Sequence, residues 1–152
     1  MVSIFEENEY ANWCPILILR IELWPESCSF SSMRFFTRKW VKPEDLNANQ
    51  TLFGGRLLGW IDEEAAIYAM CQLKDKRVVT KFMSEINFLS AACHGDVIEI
   101  GLETVAFGRT SMTMRCEVRN KDTKNAILTI EKMVFVVLDD TGKPRVHGVT
   151  AA

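Results

Sequence analysis

The sequence predicts an α+β fold in which a curled antiparallel β-sheet wraps one long central helix. Three observations lead there. Between Gly55 and Lys74 the apolar residues recur at helical spacing. After Lys76 come four stretches that alternate or are rich in β-branched residues, joined mainly by short turns. One strand-like stretch precedes the helix, so a single sheet has a single helix to cover it. At 152 residues the chain is long enough for one good core and too short for two.

The elements follow in order. Residues 1–32 show no clean period. Pro15 to Trp24 is hydrophobic, but Arg20 and Glu22 interrupt it and it is too short to span a bilayer. Glu6, Glu7 and Glu9 occupy the place where a signal peptide carries basic residues. Regular patterning begins at Met33, so residues 1–32 read as an N-terminal extension outside the functional domain. That domain is expected over 33–142, with a polar, mobile tail over 143–152. Arg34 to Val41 mixes aromatic and polar residues as a first strand, which Pro43 ends. Glu44 to Leu52 is an Asn-rich connection. The helix carries Leu57, Leu58, Ile61, Ala65, Tyr68, Ala69 and Leu73 on one stripe. Its extra apolar residues Trp60, Ala66, Ile67 and Met70 predict burial on more than one side.

Four strands are expected beyond the helix. Arg77 to Ser84 is short and starts β-branched. Asp96 to Phe107 alternates, and Gly108-Arg109 turns the chain into Thr110 to Arg119, which alternates through Met112, Met114, Cys116 and Val118. Those methionines read as core. Asn120 to Asn125 is a polar turn, and Ala126 to Leu138 is a long, mostly buried strand ended by Asp139-Asp140-Thr141-Gly142. His94, before Gly95-Asp96, reads as a turn residue.

Composition narrows the function. A formal charge of −2 lacks the basic excess of proteins that track nucleic-acid phosphates. Five cysteines without C-x-x-C spacing and only two histidines, His94 and His147, give a metal site little to be built from. The cysteines read instead as buried or half-buried thiols of a reducing cytosol. Chemistry concentrates at the helix start. Gly54-Gly55 lets a ligand approach free backbone N–H groups at the positive end of the helix dipole, which suits an oxygen gaining negative charge. Asp62 lies two turns further on, on the face shared with Leu58 and Ala65, where it could direct water at the carbon bearing that oxygen. Glu63, turned ~100° away, points elsewhere.

These residues also carry a family resemblance. Asn47-Ala48-Asn49, then Phe53-Gly54-Gly55, then Asp62 seven residues on, resembles the hotdog-fold acyl-CoA thioesterases, most of all the bacterial short-to-medium-chain acyl-CoA hydrolases related to the cytosolic acyl-CoA hydrolases of animals. Arg77-Val78-Val79-Thr80 is similar to the family's strand after the helix. Asn87-Phe88 with Gly95-Asp96 resembles its x-F-x-x-P-x-x-x-G-D signature, and Gly108-Arg109-Thr110-Ser111 resembles its turn that approaches coenzyme A. Two departures stand out. Gln50-Thr51 replaces a usual Gly-Asp or Gly-Asn, and Ala91 or Ala92 replaces the signature proline.

The resemblance implies a hotdog fold and hydrolysis of an acyl-CoA thioester. Asp62 would be general base or nucleophile, and Gly55 the oxyanion donor with Gly54 allowing close approach. Thr80 would hold the carboxylate or the water, or be an ordinary strand threonine. Asn47, Thr51, Phe53, Gly54, Arg56, Arg109, Thr110 and Ser111 would bind the substrate, whose phosphates call for cations and hydroxyls, with Lys81 a further candidate. No cofactor is expected, since coenzyme A belongs to the substrate, and no metal, membrane or nucleic-acid partner. A cytoplasmic homodimer or dimer-based tetramer or hexamer is expected. Its active site would lie between subunits, with Asp62 of one chain facing the 77–88 segment of another. The alternatives are an acyl-CoA-binding sensor without catalysis and a hotdog-fold hydratase or dehydratase, although the latter needs a histidine beside the helix start.

Overall fold

The computed structural model describes residues 33–149. Strand β1 (Arg34–Trp40) leads through a short 3-10 turn at Pro43–Asp45 to helix α1 (Gly54–Leu73). The chain then runs through β2 (Val78–Met83), β3 (Ile86–Phe88), β4 (Val97–Phe107), β5 (Ser111–Asn120) and β6 (Ala126–Val137). All pairings are antiparallel, in the order β1-β4-β5-β6-β2, with β3 also paired to β6. Five strands therefore follow the helix where the sequence pattern predicts four. Ile86–Phe88 spans three residues, too few to show an alternation. The expectation for residues 1–32 lies outside the described residues.

The helix is held against the sheet by one row of side chains. Leu57, Ile61, Ala65, Ala69 and Leu73 are all buried, each four residues from the last. The two alanines let the helix axis come close to the strands. Opposite them lie Ile98, Ile100 and Leu102 of β4, Met112, Met114, Cys116 and Val118 of β5, and Leu128, Ile130, Met133, Phe135 and Val137 of β6. Each large side chain buried there stabilises the fold by about 1.5–3 kcal/mol. Burial on further sides of the helix is only partial: Leu58, Trp60, Ala66, Tyr68 and Met70 pack half-buried at the margin, and Ile67 is exposed.

Polar ties set the helix's angle. Glu64 accepts a hydrogen bond from the Thr37 hydroxyl and pairs with Lys39 of β1, and the Tyr68 hydroxyl meets that of Thr104 on β4 at 3.1 Å. The helix ends at Lys74, whose N–H donates to the Met70 carbonyl and whose left-handed φ of 52° turns the Asp75 N–H onto the same oxygen at 3.2 Å. Register shifts in β1, β2, β4 and β5 supply the curl, since a bulge bends its strand and increases twist. In β2 the shift lies between Thr80 and Phe82, beside the candidate site.

The segment 143–149, expected as a mobile tail, is tied to the sheet. Leu138 bridges Pro144, Arg145 N–H donates to the Val137 carbonyl, His147 Nε2 donates to the Ser111 carbonyl, and Val149 packs against the core. The edges of the sheet are β1 and β2. At the β2 edge, in adjoining β3 and just beyond it, Val79, Phe82, Phe88 and Leu89 are exposed apolar residues. No helix among the described residues is long and apolar enough to cross a membrane.

Candidate active site

The helix start is built by the loop before it. Leu46 bridges Leu52 and Thr51 bridges Cys93, so the loop is pinned on both sides. Asn47 organises its interior. Its Oδ1 accepts from the backbone N–H of Asn49 (2.8 Å) and of Thr51 (3.3 Å), and its Nδ2 donates to Thr51 Oγ1 at 3.0 Å. Gln50 takes a φ of 60° at the tip.

Phe53 then begins α1 without a side-chain cap. Its carbonyl accepts from Arg56 N–H (2.9 Å) and Leu57 N–H (3.1 Å). The Gly54 and Gly55 N–H groups have no acceptor among the described residues, and they sit at the positive end of the helix. Two rings lie over them. A Cβ on Gly55 would come 2.7 Å from the Phe53 ring, and one on Gly54 would come 3.2 Å from the Phe88 ring, so a side chain at either position would push an exposed ring aside. A cavity of about 410 Å3 opens here, lined by Asn47, Thr51, Gly54, Leu57, Phe88 and Ile127 among others.

Asp62 sits in the third turn of α1. Its Oδ1 accepts a 2.6 Å hydrogen bond from the Thr80 hydroxyl of the same chain. Thr80 reaches the carboxylate in cis, because β2 returns alongside its own helix. Oδ2 is left to act. Glu63 is largely exposed and turned toward Lys39, apart from this pair.

One expectation changes with the geometry. Asp62 follows Gly55 by seven residues, and at 1.5 Å per residue that is roughly 10 Å along the helix. A thioester carbon held at Gly55 is then beyond the ~3–3.5 Å that direct attack by the same helix's Asp62 would need, so within one helix the two groups meet on one carbon only through an intervening water.

Other expected binding residues divide. Thr110 and Ser111 line a second cavity of about 380 Å3 together with Lys81, Phe82, Lys132, Val134 and Val136. Arg109, exposed on the same turn, is not part of that lining. Arg56 is held by Asp45, a buried carboxylate 3.2 Å from its Nε, and so serves the loop before the helix. Phe53 is exposed over Gly55. Lys132 was not anticipated. Its one signal is the charged Glu131-Lys132 pair interrupting a mostly apolar strand.

The thiols divide as well. Cys116 is buried, and burial pushes its pKa up to about 12, so it stays protonated. Cys71 and Cys93 are exposed, against the expectation of buried or half-buried thiols. Both stand on surfaces, the helix flank and a loop, where nothing in the sequence pattern distinguishes them. Cys14 and Cys28 lie outside the described residues. Met112 and Met114 are fully buried, as expected of core residues, and His94 is an exposed loop residue. Among the described residues no three His, Cys, Asp or Glu side chains come together to hold a metal.

Comparison with known proteins fits this arrangement. The thioesterase superfamily's sequence profile matches residues 49–127. An acyl-CoA thioester hydrolase of Salmonella typhimurium is 32% identical over 114 residues, covering 71% of this chain and 85% of that protein. A hexameric thioesterase from Yersinia pestis superposes with a TM-score of 0.68 at 31% identity, covering 74% of this chain and 93% of that one. An acyl-CoA hydrolase from Staphylococcus aureus, solved with butyryl coenzyme A, coenzyme A and coenzyme A disulfide, has a TM-score of 0.65 at 34% identity, covering 72% and 66%. That enzyme has also been solved with an aspartate, an asparagine or a threonine changed to alanine.

Proposed function

The chain belongs to the thioesterase superfamily, and from that membership we propose that it hydrolyses an acyl-CoA thioester to a carboxylic acid and free coenzyme A. The observation that carries the reading is the Asp62 carboxylate held by Thr80 on a helix whose first two N–H groups have no acceptor among the described residues. Aspartate, asparagine and threonine, the types exchanged in the Staphylococcus aureus relative, are also the types at Asp62, Asn47 and Thr80.

The site is shared between two copies of the chain. With ~10 Å between Gly55 and Asp62 in one helix, setting the helix start of one copy against the Asp62–Thr80 pair of the other brings both within direct reach of one carbon. The β2 edge, with exposed Val79 and Phe82 and the neighbouring Phe88 and Leu89, is the surface suited to join them. Assembly beyond the dimer, to a hexamer, would match the similar thioesterases solved as hexamers.

The chemistry then divides by residue. With Thr80 donating to Oδ1, Oδ2 of Asp62 takes a proton from water, and the water oxygen attacks the thioester carbon. Alternatively Oδ2 attacks that carbon itself, and water hydrolyses the resulting anhydride. In both routes the negative charge that builds on the carbonyl oxygen faces the Gly55 N–H of the second copy. The carbon–sulfur bond breaks, and the coenzyme A thiolate leaves and takes up a proton. Lys81, Lys132, Thr110 and Ser111 offer its phosphates two cations and two hydroxyls. No cofactor takes part beyond the coenzyme A of the substrate. Residues 33–142 form the catalytic domain in this reading. The free thiols of Cys71 and Cys93 suit a cytoplasmic setting.

Thiol release from acyl-CoAs of two to sixteen carbons tests the proposal. Wild type turns over, and Asp62→Asn falls by roughly a hundredfold or more. Binding of acyl-CoA without thiol release would overturn it in favour of a sensor. Full activity from a monomer at micromolar concentration would overturn the shared site.

A further inference from the structure

Asn47 does more in its loop than the fold requires. The turn from Asn47 to Thr51 needs only a side-chain oxygen, which accepts from the Asn49 and Thr51 N–H groups. An aspartate would serve that turn equally well. What the carboxamide adds is Nδ2 with two N–H donors, and only one is used, toward Thr51 Oγ1 at 3.0 Å. A planar amide whose oxygen and one N–H are fixed has its last N–H direction fixed too. Asn47, Thr51 and Gly54 line the same cavity, and the Gly54 N–H has no acceptor among the described residues.

We propose that Thr51 is a positioning residue, whose hydroxyl holds the Asn47 carboxamide so that its second N–H joins the helix-start N–H groups as a donor to the thioester oxygen. The proposal rests on the hydrolase reading above and adds a part to it. Thr51 stands where the resembling family carries aspartate or asparagine, so this pairing is specific to the residues of this chain. A threonine hydroxyl both accepts from Nδ2 and lies 3.3 Å from Oδ1, bracing the amide in its plane. Valine has the same shape without the hydroxyl. The main-chain bonds of Thr51, including that from Asn47 N–H to its carbonyl at 2.8 Å, survive the exchange.

The test is a double-mutant cycle on thiol release with a C4 acyl-CoA, run with melting temperatures. Thr51→Val lowers kcat roughly tenfold and moves KM less than about twofold, because the donor acts on charge that develops in the transition state. Thr51→Ser, which keeps the hydroxyl, recovers most of kcat. Asn47→Ala loses at least as much as Thr51→Val, and the double variant loses no more than Asn47→Ala alone. Asn47→Asp keeps the turn and the melting temperature but loses kcat, since a carboxylate faces the developing oxyanion. Thr51→Ala repeats the measurement should valine lower the melting temperature. Wild-type kcat in Thr51→Val and Thr51→Ala, or losses that multiply in the double variant, overturns the proposal. An unchanged kcat in Asp62→Asn overturns the hydrolase reading instead, so the two failures are told apart.

Discussion

The first and third turns of α1 meet the same need by opposite means. The first turn offers main-chain N–H groups, stripped of side chains at Gly54 and Gly55 and roofed by the Phe53 and Phe88 rings. The third turn offers one side chain, Asp62, fixed by the Thr80 hydroxyl. A threonine braces each: Thr51 accepts from Asn47 at the first and Thr80 donates to Asp62 at the third. The positive end of a helix stabilises developing negative charge, whereas a base needs a carboxylate away from that charge. In the proposed shared site, each end is completed by a second chain.

Subunit mixing breaks or sharpens this contrast most sharply. Asp62→Asn and Gly55→Val are each expected to lose roughly a hundredfold in kcat, the second because its Cβ meets the Phe53 ring. Dissociated and reassembled in equal amounts, they form mixed dimers in about half of all pairs, each with one intact and one doubly broken site. Activity should return to about a quarter of wild type. No recovery in a verified mixed dimer would mean that both ends act within one chain, and the helix-length argument would fail.

Much of this contrast could be read from the sequence, and the remainder shows what a sequence hides. Gly54-Gly55 and Asp62 announced themselves by spacing, because a helix converts sequence distance directly into length and direction. Thr80 meeting Asp62 in cis was not legible: it depends on how β2 returns, and on the register shift between Thr80 and Phe82. Arg56 looked available for a phosphate because its partner, Asp45, lies eleven residues earlier in an irregular loop. β3 is simply too short to leave a pattern. Lys132 joins Thr110 and Ser111 only through strand pairing of β6 with β5.

The outer face of the sheet supplies a control of intermediate size. Glu99 is buried among Lys124, Arg119 and Arg38, which hold its carboxyl below the ordinary value of 4.5, Lys124 most strongly, while burial opposes them. A carboxyl lowered on folding contributes stability above its unfolded pKa and loses it as pH falls through the lower folded value. Denaturation midpoints should therefore drop on acidification below about pH 4.5 in wild type, and Glu99→Gln should flatten that limb. The same variant should leave kcat per folded molecule unchanged, since none of the cavity-lining residues touches it. A changed kcat would show that the outer face reports to the helix ends, and that the two turns of α1 are not the whole of the machinery.

The smallest effect separates loop from helix. Gln50 and Lys74 both carry left-handed backbone, φ 60° and 52°, one before α1 and one after it. Glycine relieves that strain at either place while giving the unfolded chain more freedom, so the net gain is a few tenths to about 1 kcal/mol. Lys74→Gly should raise the melting temperature slightly and leave turnover alone, since that end holds only the Met70 carbonyl. Gln50→Gly should give a similar gain in stability, but it also loosens the tip between Asn47 and Thr51, whose bond directs the amide. A small loss of kcat at Gln50→Gly, absent at Lys74→Gly, would place the loop within the catalytic apparatus. Equal behaviour at both ends would reduce the loop to a connection and leave the glycine N–H groups as the only donors of the first turn.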